Sequence, residues 1–349
     1  MREAEDMMDT ITFKCPNCGG GLVFNPETQK YECEFCLSDF NFQELKSQDS
    51  QDAAAANEPQ AVLYNCPSCG AEIVTDETTA ASICYYCHNP VVLKGRLEGR
   101  YQPDYVVPFS ISRKQAEEIF AQWIRRKRYT PSDFYSEKQI ASMTGVYFPY
   151  WLYSCTVDGK MEAEGTKLRM WDAGNLRYTE KKIYRISRDG QMNINHMARN
   201  ALKKANAKLS SGVLPFQTEG LKPFHMGYLT GFFAEKRDME REQLRPEIEH
   251  EVKEFAAASL KSSAAGYSGL NVRYQETDIQ TPVWHYGLFP VWTLTYKGQK
   301  DGKIYYFALN GQTGKVCGEI PVDGKKLFLL FLFVFTPLFA LLLAGGYLL

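Results

Sequence analysis

Phe13-Lys14-Cys15-Pro16-Asn17-Cys18-Gly19 and, fourteen residues beyond its second cysteine, Cys33-Glu34-Phe35-Cys36 decide how the first third of the chain folds. A Cys-x-x-Cys knuckle is a tight turn that brings two thiolates to one side of the backbone, and a following glycine tolerates that turn. Two knuckles deliver four sulfurs to one ion, a closed tetrahedron with no open position for water, and the stretch between them suits a β-hairpin. This is the donor set of structural zinc; an iron site of the rubredoxin kind uses the same four sulfurs. Tyr64-Asn65-Cys66-Pro67-Ser68-Cys69-Gly70 and Cys84-Tyr85-Tyr86-Cys87 repeat the pattern at an offset of 51 residues. Two zinc ribbons are therefore expected, over residues 10–46 and 61–95, with two structural Zn2+ ions. Cys15, Cys18, Cys33 and Cys36 would hold the first, and Cys66, Cys69, Cys84 and Cys87 the second. A unit of about thirty residues has too little core to fold unaided, and zinc supplies about 10–16 kcal/mol.

The other readings of these cysteines are weaker. A secreted disulfide scaffold spreads cysteines through a short chain, whereas eight of the ten here are paired before residue 88 of a 349-residue chain. A redox Cys-x-x-Cys sits at a helix start in a βαβ pattern, which this segment lacks. Cys84-Tyr85-Tyr86-Cys87-His88 matches a c-type haem string, but the ribbon spacing claims both thiols and the first copy has Leu37 where the second has His88. A swap of His88 into the ligand set stays open. Cys155 and Cys317 stand alone and read as strand thiols.

Charge is partitioned along the chain. The formal net charge is −1, yet residues 1–100 carry 7 Lys and Arg against 16 Asp and Glu, and residues 101–324 carry 31 against 25. Phosphate contacts need lysine and arginine, so the acidic ribbons are poor candidates for nucleic acid. Met1 to Asp9 holds four acids and no apolar run, so no secretory signal is expected. Residues 47–60, with Ala53-Ala54-Ala55-Ala56 and no aromatic or β-branched side chain, read as a linker.

Leu327 to Leu349 is 23 residues without a charge, ten of them Leu and five Phe. As a helix it is about 34 Å long, enough for the hydrocarbon core, and insertion gains at most about 5–10 kcal/mol. Lys325 and Lys326 stand at its entrance with no lysine or arginine beyond. The positive-inside bias then predicts a single-pass protein of the cell membrane with the bulk of its chain in the cytoplasm. Arg125-Arg126-Lys127-Arg128 is a second basic run. Solvation at a helix C-terminus is one reading; contact with anionic lipid headgroups, shared with Lys325 and Lys326, is a second; a nucleic-acid contact is the third.

The middle, residues 101–322, reads as an aromatic-rich, antiparallel α+β domain. Pro108-Phe109 leads into an amphipathic helix over Ser112 to Arg128, with Ser112 and Gln115 spaced as a capping box and Ile119, Phe120 and Trp123 on its apolar side. Gly145-Val146-Tyr147-Phe148-Pro149-Tyr150-Trp151-Leu152 follows, with a hairpin turn expected at Asp158-Gly159. Pro215-Phe216, a charged helix over Glu235 to Lys261, and Gly287-Leu288-Phe289-Pro290-Val291-Trp292 suggest a second copy, with strands around Asp301-Gly302. Duplication and a chance likeness of two aromatic strands both account for the match. A hairpin with Asn310-Gly311 in its loop closes the domain.

With its eight paired cysteines, the chain resembles a bacterial family of tandem zinc-ribbon proteins labelled TFIIB-type zinc ribbon-containing or likened to a helicase zinc module. In full length it is similar to the membrane-anchored branch. That resemblance implies a partner role: a membrane receptor for a band-7 or SPFH-type protein in systems that include a phage-shock-type envelope-stress protein. Nothing resembles a Walker A loop, so the helicase label does not transfer. The expectation is a non-enzymatic adaptor with no catalytic residue. A nucleic-acid-binding ribbon protein and a ligand-binding or enzymatic middle domain are the alternatives.

Overall fold

The computed structural model describes residues 10–11, 13–45, 62–65, 72–75, 79–83, 90–93, 97, 99–203, 205, 207–298 and 302–347. They form a mixed α+β structure whose strands dominate. The chain divides into two compact units, one drawn from Met1–Pro149, Lys204–Lys236 and Leu288–Leu349, the other from Tyr150–Lys203 and Arg237–Gly287.

The first unit begins with β1 (Thr10–Ile11), β2 (Leu22–Asn25), β3 (Lys30–Cys33), β4 (Asp39–Phe40) and α1 (Phe42–Leu45). β2, β3 and β4 form an antiparallel three-stranded sheet, the expected ribbon hairpin. Next come β5 (Val62–Asn65), β6 (Glu72–Thr75), β7 (Thr79–Ile83) and β8 (Pro90–Leu93). Here the repeat departs from its first copy. β6 pairs with β5, while β7 pairs with β8, and β8 takes β1 as its other neighbour. β7 also pairs with β13 (Phe233–Glu235) of the middle segment.

β9 (Tyr105–Val106) leads to α2 (Arg113–Arg125). The capping box is present in both directions: Ser112 Oγ accepts from Gln115 N at 3.3 Å, and Gln115 Oε1 accepts from Ser112 N at 3.0 Å. The helix ends three residues before the expected Arg128. Its buried stripe is Ala116, Phe120 and Ile124, an i, i+4, i+8 row, with Ile119 and Trp123 only half covered. Phe120 packs edge-on against Phe307 at 4.7 Å and Phe134 at 5.6 Å. After α3 (Glu137–Ile140), β10 (Thr144–Ala173) begins; Tyr147 and Phe109, 5.0 Å apart, are buried with Phe232 and Trp292.

β10 runs unbroken through Asp158-Gly159, so the turn expected there is absent. Asp158 lies opposite Gln191 and Gly159 opposite Gly190 in the antiparallel ladder with β11 (Leu176–Asn200). Glycine serves packing at this point: a Cβ on Gly159 would sit 3.0 Å from Leu260 Cδ1. The chain turns instead at Gly174, where φ is +62°. The following elements are α4 (Ala207–Gly212), β12 (Lys222–Pro223), β13, α5 (Arg241–Ser262), β14 (Gly269–Lys297), β15 (Ile304–Asn310), β16 (Val316–Gly318) and α6 (Gly324–Tyr347). The sheet is not wholly antiparallel: β13 runs parallel to β10, Val146 opposite Phe233. A parallel neighbour needs a long connection, and β11 with residues 201–232 supplies it.

In the second unit, α5 buries Leu244, Ile248, Val252, Ala256 and Leu260. Leu260 and Ala264 close on Met161, Ala163 and Ile186. Each unit contains the same bond between a tryptophan and a helix entrance. Trp292 Nε1 donates to Ile111 O at 3.0 Å, two residues before α2. Trp151 Nε1 donates to Met239 O at 2.9 Å, two residues before α5. The residue two before each carbonyl lies by the indole, Phe109 at 5.1 Å from Trp292 and the Arg237 guanidinium at 4.7 Å from Trp151. Phe216, where the suggested second copy would begin, packs on Phe289 at 4.8 Å.

Replacing either indole by phenylalanine leaves a carbonyl without its donor. W151F and W292F are each expected to lower unfolding free energy by about 1–3 kcal/mol, read by urea titration of the chain in detergent. A loss near zero in both would mean that these bonds do not hold the helix entrances.

Candidate metal centre

The two knuckles of the first ribbon are built alike. In the first, Gly19 N donates to Cys15 O at 2.8 Å and Cys15 N to Gly20 O at 2.7 Å; in the second, Leu37 N donates to Cys33 O at 2.9 Å and Cys33 N to Ser38 O at 3.0 Å. The fifth position of each is left-handed, with φ +75° at Gly19 and +58° at Leu37. The second knuckle thus makes with leucine the turn for which the first uses glycine.

This duplicated turn aims four sulfurs inward. All four Sγ atoms lie within 4.8 Å of one another, with Cys15–Cys36 at 3.5 Å and Cys18–Cys33 at 3.4 Å. Tetrahedral coordination at about 2.3 Å puts sulfurs about 3.8 Å apart, so the cluster can hold a metal ion with small shifts. Cys15 and Cys33 are buried, Cys18 and Cys36 exposed. Without metal the thiols share hydrogen bonds. The Gly20 backbone pulls the Cys18 thiol down, but hydrogen bonds with Cys33, Cys36 and Cys15 prevail and push it up to about 12. The Ser38 hydroxyl and backbone hold Cys36 down at about 6.

An aromatic stack joins the ribbon to the rest of its unit, and no sequence motif announced it. The His225 ring lies between Phe42, at 3.4 Å and 12°, and Tyr228, at 3.9 Å and 27°. Phe24 packs edge-on to Tyr228 at 5.3 Å, and its backbone N donates to Thr230 O at 3.1 Å. Gly231, at φ +88°, admits Val23, whose Cγ1 would lie 2.5 Å from a Cβ there. Gln29 Nε2 reaches Phe109 O at 2.8 Å. Burial lifts the Tyr31 phenol above its ordinary range. The only hint in the sequence was the aromatic density around Phe224-His225-Met226-Gly227-Tyr228.

The second set of ligands, Cys66, Cys69, Cys84 and Cys87, lies outside the described residues, as does the expected linker at 47–60. Cys155 is buried in β10, where burial raises its thiol, and Cys317 lies in β16. The structure brings the residues that follow the basic run to the entrance of α6. Asp323 N donates to Tyr129 O and Lys326 Nζ to Thr130 O, each at 2.7 Å, so the loop after Arg125-Arg126-Lys127-Arg128 braces the first turn of α6. α6 is long and apolar enough to cross a membrane, and none of its apolar window over Gly324–Leu341 is buried.

Together these features define a class: an α+β protein with a four-cysteine cluster near one end and an exposed apolar helix near the other. No family model and no solved structure matches the chain. It is similar to the uncharacterised protein YdjG of Bacillus subtilis strain 168, with 31 % identity over 343 residues, 97 % of this chain and 99 % of the relative. The chain belongs to the YdjG family.

The thiols imply a definite pH dependence of metal binding. Every thiol protonated in the metal-free site, Cys18 among them, must lose its proton to coordinate, so apparent affinity falls about tenfold per pH unit for each such proton as pH drops. Cys36 is already a thiolate above about pH 6, and below that it adds one more proton to displace. Chelator competition should show a slope of log affinity against pH that steepens by one proton near pH 6; an unbroken slope would refute the Ser38 effect. L37G, which gives the left-handed position a glycine, is expected to strengthen metal retention, since leucine there costs about 1 kcal/mol. Weaker retention would mean that Leu37 contributes contacts outweighing its backbone cost.

Proposed function

We propose that this protein is a non-enzymatic, membrane-anchored adaptor. Its zinc ribbons and α+β body present a stiff surface in the cytoplasm, and α6 ties that surface to the cell membrane. The ribbons hold one zinc ion each. Tetrathiolate chemistry supports zinc at the first site, and the exact repeat of cysteine spacing supports a second. The body is a duplicated helix–strand module, a reading supported by the matching indole bonds at the entrances of α2 and α5.

The observation that carries the adaptor reading is the union of ribbon and anchor in one compact unit. The Phe42–His225–Tyr228 stack fixes the ribbon to that unit, and the Tyr129 and Thr130 carbonyls fix the base of α6. A surface held this way keeps a bound partner at a set distance from the bilayer. The partner suggested by resemblance is a band-7 or SPFH-type protein of an envelope-stress system. Acidic ribbons favour a partner with a basic face.

Affinity purification from detergent-solubilised membranes, with metal analysis of the same sample, tests this reading. About two zinc ions per chain are expected, falling to about one in the C15S/C36S variant. Deleting residues 327–349 should move the chain and its captured partners to the soluble fraction together. Partners that stay at the membrane without the anchored chain would sink the adaptor reading.

A further inference from the structure

The basic run at the end of α2 has no ion-pair partner among the described residues. Arg125, Arg126, Lys127 and Arg128 are all exposed, as is Lys325. Some exposed cations elsewhere are paired, as in Arg113 with Glu117, Arg177 with Asp172 and Arg245 with Glu249, whereas in the run Lys127 lies over the Trp123 ring at 5.9 Å. Four consecutive cations repel one another, and an anion shared among them relieves that repulsion.

Their place is set by two bonds. Tyr129 O takes the Asp323 N–H, and Thr130 O takes Lys326 Nζ. Lys326 is therefore a clamp that holds the loop against α6, while Lys325 stays exposed to solvent. Arg126 is three positions before Tyr129, so its Cα lies at most about 11 Å from that of Tyr129, whose carbonyl meets Asp323 at the base of α6. Tyr129 and Tyr135 are themselves 36 % and 41 % exposed, as rings at a membrane–water interface would be.

We propose that this collar is an anionic-phospholipid site, with Arg125, Arg126, Lys127, Arg128 and Lys325 sharing lipid phosphates in the headgroup layer around α6. The proposal rests on the membrane-anchored reading above. The loop is pinned by protein bonds independent of lipid, so the cations are held ready and lose little freedom on binding. Each cation near an anionic surface multiplies attachment about fivefold, and a Debye length of about 8 Å makes the effect salt-sensitive.

The test reconstitutes the full chain in vesicles of phosphatidylcholine alone or mixed with phosphatidylglycerol. Resistance to alkaline extraction in both reads the anchor. Amide hydrogen exchange over residues 123–130 reads the collar. Exchange about three- to tenfold slower in the phosphatidylglycerol vesicles is expected, with the difference removed by high salt and by R125Q/R126Q/R128Q. A charge-matched control, K181Q/K253Q/K261Q, which removes three exposed cations from β11 and α5, should keep the difference. Equal exchange in the two vesicles, or equal loss in the control, overturns the collar and leaves the anchor standing. Equal slowing by inorganic phosphate added to neutral vesicles overturns lipid as the source. Extraction of the chain from both vesicles overturns the anchor and, with it, the collar.

Discussion

Two indole N–H bonds organise the body of this protein. Trp151 and Trp292 each project from a long strand and donate to a carbonyl two residues ahead of a helix. A buried indole N–H left without an acceptor costs about as much as the bond is worth, so each helix entrance is held to its strand. The pairing is exchanged along the chain. Trp151 follows α2 in sequence but binds before α5, and Trp292 follows α5 but binds before α2. Each compact unit therefore takes its strand from one half of the middle segment and its helix from the other. Neither half can complete its own core, which ties residues nearly a hundred positions or more apart into each unit.

The four-cysteine hairpin depends on a different kind of junction. The hairpin is small, and the fit of the four thiols sets only its interior. What fixes it outwardly is the stack of Phe42, His225 and Tyr228 together with the close approach of Val23 to Gly231. Flat rings at 3.4–3.9 Å leave little room for rotation. The hairpin so becomes part of the unit that also contains α6. The carbonyls of Tyr129 and Thr130 perform the corresponding task at the other end.

Local chemistry was legible wherever a short stretch could satisfy itself. The Ser112–Gln115 capping box formed because both partners sit within one turn, and each ribbon knuckle formed because two backbone bonds close inside six residues. The reading failed where a distant partner decided the outcome. Asp158-Gly159 looks like a turn in isolation, but β11 pairs across it and Leu260 needs the space a side chain would fill. The helix side assigned to Ile119 and Trp123 rotated toward Ala116 and Ile124, because Phe307 and Phe134 gather around Phe120. The partners beside the two indoles are also chosen at a distance: a phenyl ring from Phe109 lies by Trp292, and the Arg237 guanidinium lies over Trp151 by cation–π contact.

The amino-acid sequence alone determined the parts: four thiols at ribbon spacing, a helix with a self-contained cap, an uncharged terminal helix and a basic run. These are consequences of residue type and short spacing, and they survive in any arrangement of the chain. Tertiary structure decided which parts meet. It placed the basic run beside the entrance of α6, stacked Phe42 on His225, and sent each tryptophan to the helix of the other half. Such contacts join residues far apart in sequence whose chemistry is generic, an aromatic ring, a carbonyl or a lysine. Only packing selects among the many partners such groups will accept.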